Sequence, residues 1–383
     1  MKLTGDWLQT KATQTVFSVL TDAGYQAFLV GGCVRNALIG AGVSDFDIST
    51  DATPDTVSKL AESAGLKVVP TGIQHGTVTI ISDGVPHEVT TFRKDIETDG
   101  RHAVVSFSTS IQEDAARRDF TMNALYADAN GLVLDPLGGL DDLNARRVRF
   151  IGDASDRIRE DYLRILRFFR FTAWYGDPDL GFDKDALAAI GGNLAGIETL
   201  SKERIGQEMR KLLLAPNPAP SLSVMQQTGV LYAILPGADT KALSILVHHE
   251  AEVEIEPSYP RRLAALGKVD AKELLRTSKS DLRDRDALFT AATEVDTAQE
   301  AGYRLGSTLG SDSRLLRSAL LETVFDPKEL SQVAQGAKAK FPVRAADLMD
   351  QFQGAALGSK LKQLENAWIA SGFRLTKQQL LES

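Results

Sequence analysis

The sequence predicts an α+β protein in which a head with a small mixed β-sheet, residues 1–145, is followed by a helical remainder. Strand patterns and turn dipeptides recur up to Leu134, whereas from Asp153 onward the pattern is helical and is broken by Gly and Pro. The composition, 383 residues with 43% apolar and 25% charged, is that of a globular protein. It excludes a chain disordered throughout, a collagen-like fibre and a coiled-coil rod.

The head begins with a predicted amphipathic helix over residues 7–23, in which Val16 and Leu20 recur at helical spacing before Gly24. A short apolar strand over 25–30 follows and stops at a Gly-Gly pair. The next strand holds Phe46 and Ile48. We then expect a helix from Pro54 to about Ala64, with Thr53 as its N-cap.

Two β-branched runs, 77–81 and 88–92, are joined through Asp83-Gly84, which is a hairpin signal. The polar stretch 93–102, which contains Asp99-Gly100, is predicted to be a mobile loop. Residues 132–134 are expected to form one more short strand.

Charge and cysteine content suggest a cytoplasmic protein. No window approaches 18 consecutive apolar residues, and the N-terminal residues do not resemble a signal peptide, so we expect no membrane association. The single Cys33 cannot form an internal disulfide, which fits a reducing cytosol. The net charge of −8 argues against nucleic-acid binding by the chain as a whole.

One segment of this acidic chain is basic. Such a belt is typical either of a solvated helix face or of a surface that binds polyanions. Between residues 144 and 172 the sequence holds eight arginines, namely Arg146, Arg147, Arg149, Arg157, Arg159, Arg164, Arg167 and Arg170.

The Gly-Gly pair is the first candidate site. Gly31 and Gly32 lie between a strand and a helix start, so a phosphate can approach the backbone and the first free amides of the helix. Arg35, one turn later, can add a charge-assisted contact. The alternative is a tight connection with no ligand.

Asp45 and Asp47 are the second candidate. On a strand they share one face, and two carboxylates this close repel unless a cation such as Mg²⁺ lies between them. Glu88 on the later hairpin is a candidate third carboxylate, either completing a two-metal site or orienting an attacking hydroxyl. The alternatives are solvated acids at strand ends.

Polar groups within an apolar helical pattern are the third candidate. Arg118, Asp119 and Asn123 form either an internal Arg–Asp pair with a buried linker or a contact to a ribose or a triphosphate. The residues alone do not separate these possibilities.

Asp161, Arg164 and Arg167 spiral over one flank of a predicted helix, and Arg170 lies further round. An Asp accepts from an exocyclic amino group and an Arg donates to a ring nitrogen. This pair suits C and A and leaves unpaired groups opposite G and U. The alternative is an internal salt bridge. Downstream, residues 248–250 (His-His-Glu) lack the spacing of a metal motif, and we expect a helical surface patch.

These motifs, in this order, resemble the bacterial class II CCA-adding tRNA nucleotidyltransferases, which share their head with bacterial poly(A) polymerases. The matching segments are Leu-Val-Gly-Gly-x-Val-Arg (29–35), Asp-Phe-Asp (45–47), Glu-Val-Thr-Thr-Phe-Arg (88–93), Arg-Arg-Asp-Phe-Thr-Met-Asn-Ala-Leu (117–125), Asp-Pro-Leu-Gly-Gly-Leu-Asp-Asp-Leu (135–143) and Glu-Asp-x-x-Arg-x-x-Arg (160–167). Residues 341–368 resemble the family's tRNA-binding tail less specifically.

The resemblance implies a nucleotidyltransferase head (1–145), a helical neck carrying the base-recognition helix (146–215) and a tRNA-binding helical body and tail (216–383). It implies CTP and ATP as substrates, tRNA as the partner, and pyrophosphate as a product. The segment 93–102 falls where the family has a loop linked to the switch from C to A addition. The implied roles are Mg²⁺ binding by Asp45 and Asp47, triphosphate binding by Gly32 and Arg35, ribose recognition by Arg118, Asp119 and Asn123, base pairing by Asp161 and Arg164, and support by Arg167 and Arg170.

One departure from the family pattern is Asn36, where Asp is usual, so a carboxylate that orients Arg35 is expected to be lost. Three alternative functions remain. They are a poly(A) polymerase with the same head, a non-catalytic RNA-binding scaffold, and a small-molecule nucleotidyltransferase. The intact Asp45/Asp47 pair argues against the scaffold, and the long helical remainder argues against a small substrate.

Overall fold

The structure is a computed structural model that describes residues 1–99 and 102–382, with side-chain surroundings for all of these except 95–99 and 102–105. It divides into two compact units. Unit 1 comprises Met1–Leu212 and Gln227–Ile234, and unit 2 comprises Leu213–Gln226 and Leu235–Ser383. No helix among the described residues is long and apolar enough to cross a membrane.

All the strands of the described residues lie in unit 1. They are β1 (Ala27–Val30), β2 (Asp47–Thr50), β3 (Lys67–Gly72), β4 (Thr77–Ser82), β5 (Val85–Thr91), β6 (Arg93–Asp99), β7 (His102–Phe107), β8 (Tyr126–Ala127) and β9 (Val133–Leu134). Seven of them form a mixed sheet in the order β3-β4-β5-β2-β1-β8-β9. The β2–β5 pair is parallel, and the other neighbours are antiparallel.

In the described part of the chain, four helices lie before or between the strands, and the helices after β9 complete unit 1 and make up unit 2. In chain order the helices are α1 (Lys11–Thr21), α2 (Gly32–Leu38), α3 (Pro54–Ser63), α4 (Ile111–Ala116), α5 (Gly139–Asn144), α6 (Ala154–Glu160), α7 (Leu163–Tyr175), α8 (Lys184–Gly192), α9 (Lys202–Leu213), α10 (Ala219–Gln227), α11 (Val230–Ile234), α12 (Lys241–Glu252), α13 (Tyr259–Ala265), α14 (Ala271–Leu275), α15 (Lys279–Glu294), α16 (Ala298–Leu320), α17 (Lys328–Lys338), α18 (Gly354–Ala370) and α19 (Lys377–Leu381). The predicted α+β class is confirmed.

Two local predictions are confirmed by their geometry. The Thr53 side chain accepts a hydrogen bond from the Thr56 N–H at 3.4 Å, with Pro54 in the first turn of α3. Asp83 and Gly84 both have positive φ, 47° and 80°, which is the turn that a two-residue hairpin between β4 and β5 requires.

Several predicted elements need correction. The helix predicted over 7–23 is a 3₁₀ turn, Asp6–Gln9, followed by α1, because the Thr10 side chain caps a new helix start. The loop predicted at 93–102 is wrong for 93–99, which is strand β6 paired with β7. Residues 100 and 101, within that prediction, lie outside the described residues, and residue 102 is the first of β7, so the prediction is wrong there too. Strands β3, β7 and β8 were not predicted.

Unit 2 contains a buried group of four charges. Arg261 and Arg262 of α13 are 1% and 2% exposed, and they pair with Glu250 of α12, each at 2.7 Å. Arg261 also pairs with Asp312 of α16. The surface patch predicted at 248–250 is therefore wrong for two of its three residues, since His249 and Glu250 are buried.

Candidate active site

The Gly-Gly turn connects β1 to α2. Gly31 has φ 71°, a conformation that favours glycine, and its N–H donates to the Leu125 carbonyl at 3.2 Å. A side chain at Gly31 would start 3.5 Å from Nη1 of Arg118. The missing side chain therefore leaves the space between this turn and the Arg118 guanidinium open to a ligand.

Three carboxylates lie on or just before the neighbouring strands. Asp47 is the first residue of β2 and stands opposite Glu88 in the parallel register with β5. Asp45 precedes the strand and is exposed, so the prediction that it lies on the strand is wrong. Burial raises the pKa of Asp47 to about 6, and the negative charges of Glu88 and Asp45 add to the effect, while Arg118 opposes it.

This crowding is what a hard divalent cation relieves. No group of three or more His, Cys, Asp or Glu side chains in the described part of the chain is arranged as a ready-made metal site. A Mg²⁺-type ion, however, usually takes one or two carboxylates and completes its shell with substrate phosphates and water. The pair Asp45 and Asp47, beside a turn open to a ligand, fits that mode of binding.

A stack of three rings supports the segment between the two aspartates. Phe46 packs against Trp7 at 5.7 Å on one side and against His87 at 5.4 Å on the other, both nearly parallel. The buried His87 contacts the Thr13 hydroxyl through Nε2 at 3.2 Å. Sequence reasoning missed Trp7 and His87, because nothing in the local pattern connects the N-terminal turn with β5.

Arg118 is held by groups other than the expected Asp119. Its Nη2 pairs with Asp114 at 3.0 Å, and its Nε donates to the Tyr126 hydroxyl at 3.1 Å. Burial alone would raise the pKa of Asp114, but Arg118 and Arg117 outweigh it and bring that pKa to about 2. Asp114 thus holds the Arg118 guanidinium through Nη2, while Nη1 lies toward Gly31. Asp114 precedes Arg118 by four residues, and this helical spacing is the feature of the sequence from which the pair could have been predicted.

Asp119 pairs instead with Arg167 of α7, whose Nε donates to Oδ2 at 2.8 Å. The Asn123 amide donates to the other oxygen of Asp119 at 2.9 Å. Burial opposes ionisation of Asp119, but Arg167 and these hydrogen bonds lower its pKa to about 2. The Arg118–Asp119 pair considered as an alternative is not formed.

Arg35 is oriented by neutral groups. Its Nε and Nη2 donate to Oδ1 of Asn36 at 3.2 and 3.0 Å, and its Nη1 donates to Oδ1 of Asn123. The carboxylate expected to be lost at this position is absent, but the orienting contact is kept, because the amide oxygen of Asn36 accepts both hydrogen bonds.

The two residues proposed for base recognition, Asp161 and Arg164, are joined by a backbone hydrogen bond from the Arg164 N–H to the Asp161 carbonyl at 3.0 Å. Asp161 follows the end of α6 and precedes α7, so its predicted place on the helix flank is wrong. Its carboxylate accepts from Arg204 at 2.6 Å and from the Leu163 N–H at 3.1 Å. Arg164 donates to Glu160 at 2.5 Å. Each of the two side chains thus has its own protein partner.

Much of the basic belt is paired inside unit 1. Arg170 donates to Glu208 of α9 at 2.5 Å and lies over the Phe171 ring, and Arg157 pairs with Glu160. The solvated-face interpretation is therefore wrong for Arg157, Arg164 and Arg170, which are mostly buried. Glu208 and Arg204, four residues apart on α9, were not singled out in the sequence.

Comparison with known proteins places this chain in a family. Residues 27–149 match the family described as poly A polymerase head domain, and residues 179–241 match the one described as probable RNA and SrmB-binding site of polymerase A. The chain is 32% identical over 375 residues to the mitochondrial CCA tRNA nucleotidyltransferase 1 of Danio rerio, covering 94% of this chain and 87% of the relative.

A bacterial relative matches over a shorter range. The CCA-adding enzyme of Bacillus pumilus (strain SAFR-032) is 40% identical over 232 residues, which cover 60% of this chain and 56% of that one. Among solved structures, the Bacillus stearothermophilus CCA-adding enzyme in complex with CTP superposes with a TM-score of 0.75 at 26% identity, covering 94% of this chain and 93% of the other.

Proposed function

This chain belongs to the family of CCA tRNA nucleotidyltransferases, and from that membership we propose the function of its head site. The enzyme adds C, C and A to the 3′ end of tRNA, using CTP and ATP and releasing pyrophosphate. One observation supports the assignment of this activity to the head site. Asp47 and Glu88 stand opposite each other on the parallel strands β2 and β5, close to Asp45 and to the open Gly31 turn.

In this proposal Asp45 and Asp47 hold Mg²⁺. When bound, the ion supplies Lewis-acid activation of the attacking oxygen and neutralises charge on the phosphates. The chain's own groups do the rest of the positioning. The Gly31–Gly32 turn admits the triphosphate to the backbone, and Arg118 and Arg35 offset its negative charge.

Glu88 is exposed beside Asp47, where it can contact the RNA. It extends from β5 beside Asp47 and forms no ion pair with any described residue. A carboxylate at this place can accept a hydrogen bond from the 3′-hydroxyl of the RNA and so orient it toward the α-phosphorus. We therefore assign Glu88 to positioning the nucleophile.

Base selection is assigned to the segment between α6 and α7. Asp161 and Arg164 present the acceptor and donor that C and A require. Since Arg204 and Glu160 now contact these two groups, the base must compete with those partners or share their remaining hydrogen-bonding positions. We propose that residues 146–215 form the neck that carries this selection, and that 216–383 bind the tRNA.

A direct assay tests the function. Purified protein is incubated with a tRNA lacking its last three nucleotides, Mg²⁺ and each labelled triphosphate, alone and together. Addition of two C and one A followed by arrest supports the proposal. Unlimited A addition would instead indicate a poly(A) polymerase, and no addition that depends on Asp47 would leave a non-catalytic RNA-binding protein.

A further inference from the structure

Arg35 differs from the other arginines around the site in its partners. Those arginines each form an ion pair, Arg118 with Asp114, Arg167 with Asp119, and Arg170 with Glu208. Arg35 forms none with any described residue, although it is only 6% exposed. It is therefore a buried cation without a matching acid.

Three neutral side chains hold this cation. Two are Asn36 and Asn123, described above. The third is Tyr175, whose hydroxyl accepts from Nη2 of Arg35 at 2.8 Å and whose ring lies against the guanidinium at 4.0 Å. Phe171, one turn earlier on α7, lies 5.2 Å from the same guanidinium. Hydrogen bonds and ring contacts orient the group without cancelling its charge.

Burying a guanidinium with no carboxylate is costly unless a ligand later provides the anion. Burial lowers the pKa of Arg35, and the acid that acts on it, Asp119, is already paired with Arg167. A side chain at Gly32 would start 3.8 Å from Nη2 of Arg35, so the guanidinium lies at the turn that a phosphate is able to approach.

We propose that Tyr175 is a positioning residue which, with Asn36, holds Arg35 as an uncompensated cation for the phosphates of the incoming nucleotide. The proposal rests on the function assigned above and adds to it a residue outside the recognised motifs. Tyr175 is the last residue of α7, so the helix that follows the base-selecting segment also sets the phosphate contact.

A second route connects the same helix to Arg35. Arg167 of α7 pairs with Asp119, Asp119 accepts from Asn123, and Asn123 accepts from Arg35. Helix α7 therefore holds the guanidinium directly through Tyr175 and indirectly through Asp119. A change at either point is expected to act on CTP and ATP alike, because the phosphates are common to both.

The test uses inorganic tripolyphosphate, whose affinity reports on the phosphate contact alone because this ligand has no base. We expect Y175F to weaken tripolyphosphate binding, measured calorimetrically with Mg²⁺, by about fivefold to tenfold, as for loss of a typical intramolecular hydrogen bond. The KM for CTP and for ATP rises by the same factor while kcat changes less than KM. Y232F, at an exposed tyrosine of unit 1, is the matched control and leaves both unchanged.

A double-mutant cycle tests whether Tyr175 acts through Arg35. Adding Y175F to R35K is expected to produce a much smaller loss than Y175F alone, with circular dichroism melting to confirm that both variants fold. An equal loss in the two backgrounds overturns the proposal. If the wild-type protein adds no nucleotide while Y175F still weakens tripolyphosphate binding, the assigned function fails and the role of Tyr175 stands.

Discussion

The two units treat buried charge in opposite ways. In unit 2, Arg261 and Arg262 are matched by Glu250 and Asp312, so two cations meet two anions in one buried group. In the site of unit 1, Arg35 has no acid, and the acids around Asp47 form no ion pair with a described base. The balanced group is complete without a ligand, whereas the unbalanced groups require one.

The difference separates charge that supports folding from charge that serves chemistry. A buried ion pair loses much stability when one partner is removed, because the other charge stays buried and unpaired. A carboxylate held next to other carboxylates behaves in the opposite way, since its removal relieves repulsion. Each prediction below tests whether a residue supports folding or serves the chemistry of the site.

The largest effect is expected at Asp47. D47N removes a carboxylate that we assign to Mg²⁺, and nucleotide addition is expected to fall by about a thousandfold or more in kcat, as for loss of several kcal/mol of transition-state stabilisation. The measurement is single-turnover addition of the first C. The control D22N, at an exposed aspartate after α1, is expected to retain full activity; a loss in both variants would refute a specific role.

The next effect is on stability in unit 2. E250Q leaves Arg261 and Arg262 with one carboxylate between them, and we expect the free energy of unfolding to fall by about 3 kcal/mol. Denaturant unfolding monitored by circular dichroism measures it. E252Q changes a half-exposed glutamate of the same helix and is expected to shift stability by less than about 0.5 kcal/mol. Equal losses would show that burial of the balanced group does not decide its contribution.

The ring stack next to the aspartates is expected to act through geometry. W7A removes one ring of the stack on Phe46, and kcat/KM is expected to fall about fivefold, since aromatic pairs contribute about 1 kcal/mol beyond burial. The Mg²⁺ concentration needed for half-maximal rate rises with it, and W7F restores most of both. Unchanged Mg²⁺ dependence in W7A would mean that the stack does not position Asp45 and Asp47.

The last effect is a pH dependence of stability in unit 1. The pKa of Asp114 and that of Asp119 are each lowered from 3.8 to about 2. A lowered pKa contributes stability that is present above the unfolded value and is lost as the pH falls toward 2. Each residue should therefore contribute about 2 kcal/mol at pH 7. Unfolding of D119N against wild type from pH 5 to pH 2 measures this, with the difference expected to shrink as the pH falls.

What the sequence predicts well is local chemistry. The Thr53 cap, the Asp83-Gly84 turn and the Gly31 turn depend on the conformational preferences of a few neighbouring residues, and each has the expected geometry. The candidate acids were found for the same reason, because Asp45 and Asp47 are two residues apart in the chain.

The features that the sequence does not predict are those that depend on residues far away in the chain. The segment 93–99 is polar and contains no β-branched run, yet it pairs with β7 because the following segment supplies the strand partner. The spacing of Asp161 to Arg164 predicted that both lie on one helix. The helical backbone is interrupted at Asp161, however, between the end of α6 and the start of α7. Tyr175 lies 140 positions from Arg35, so no local pattern reveals their contact.

The most direct test of this division is the free energy of unfolding of D47N at pH 7.5 without Mg²⁺. Because the pKa of Asp47 is raised to about 6, its charged form destabilises the folded state above that pH. The account predicts that D47N is more stable than wild type although it is inactive. A loss of stability comparable to that of E250Q would contradict it, since Asp47 would then be part of a balanced structural group.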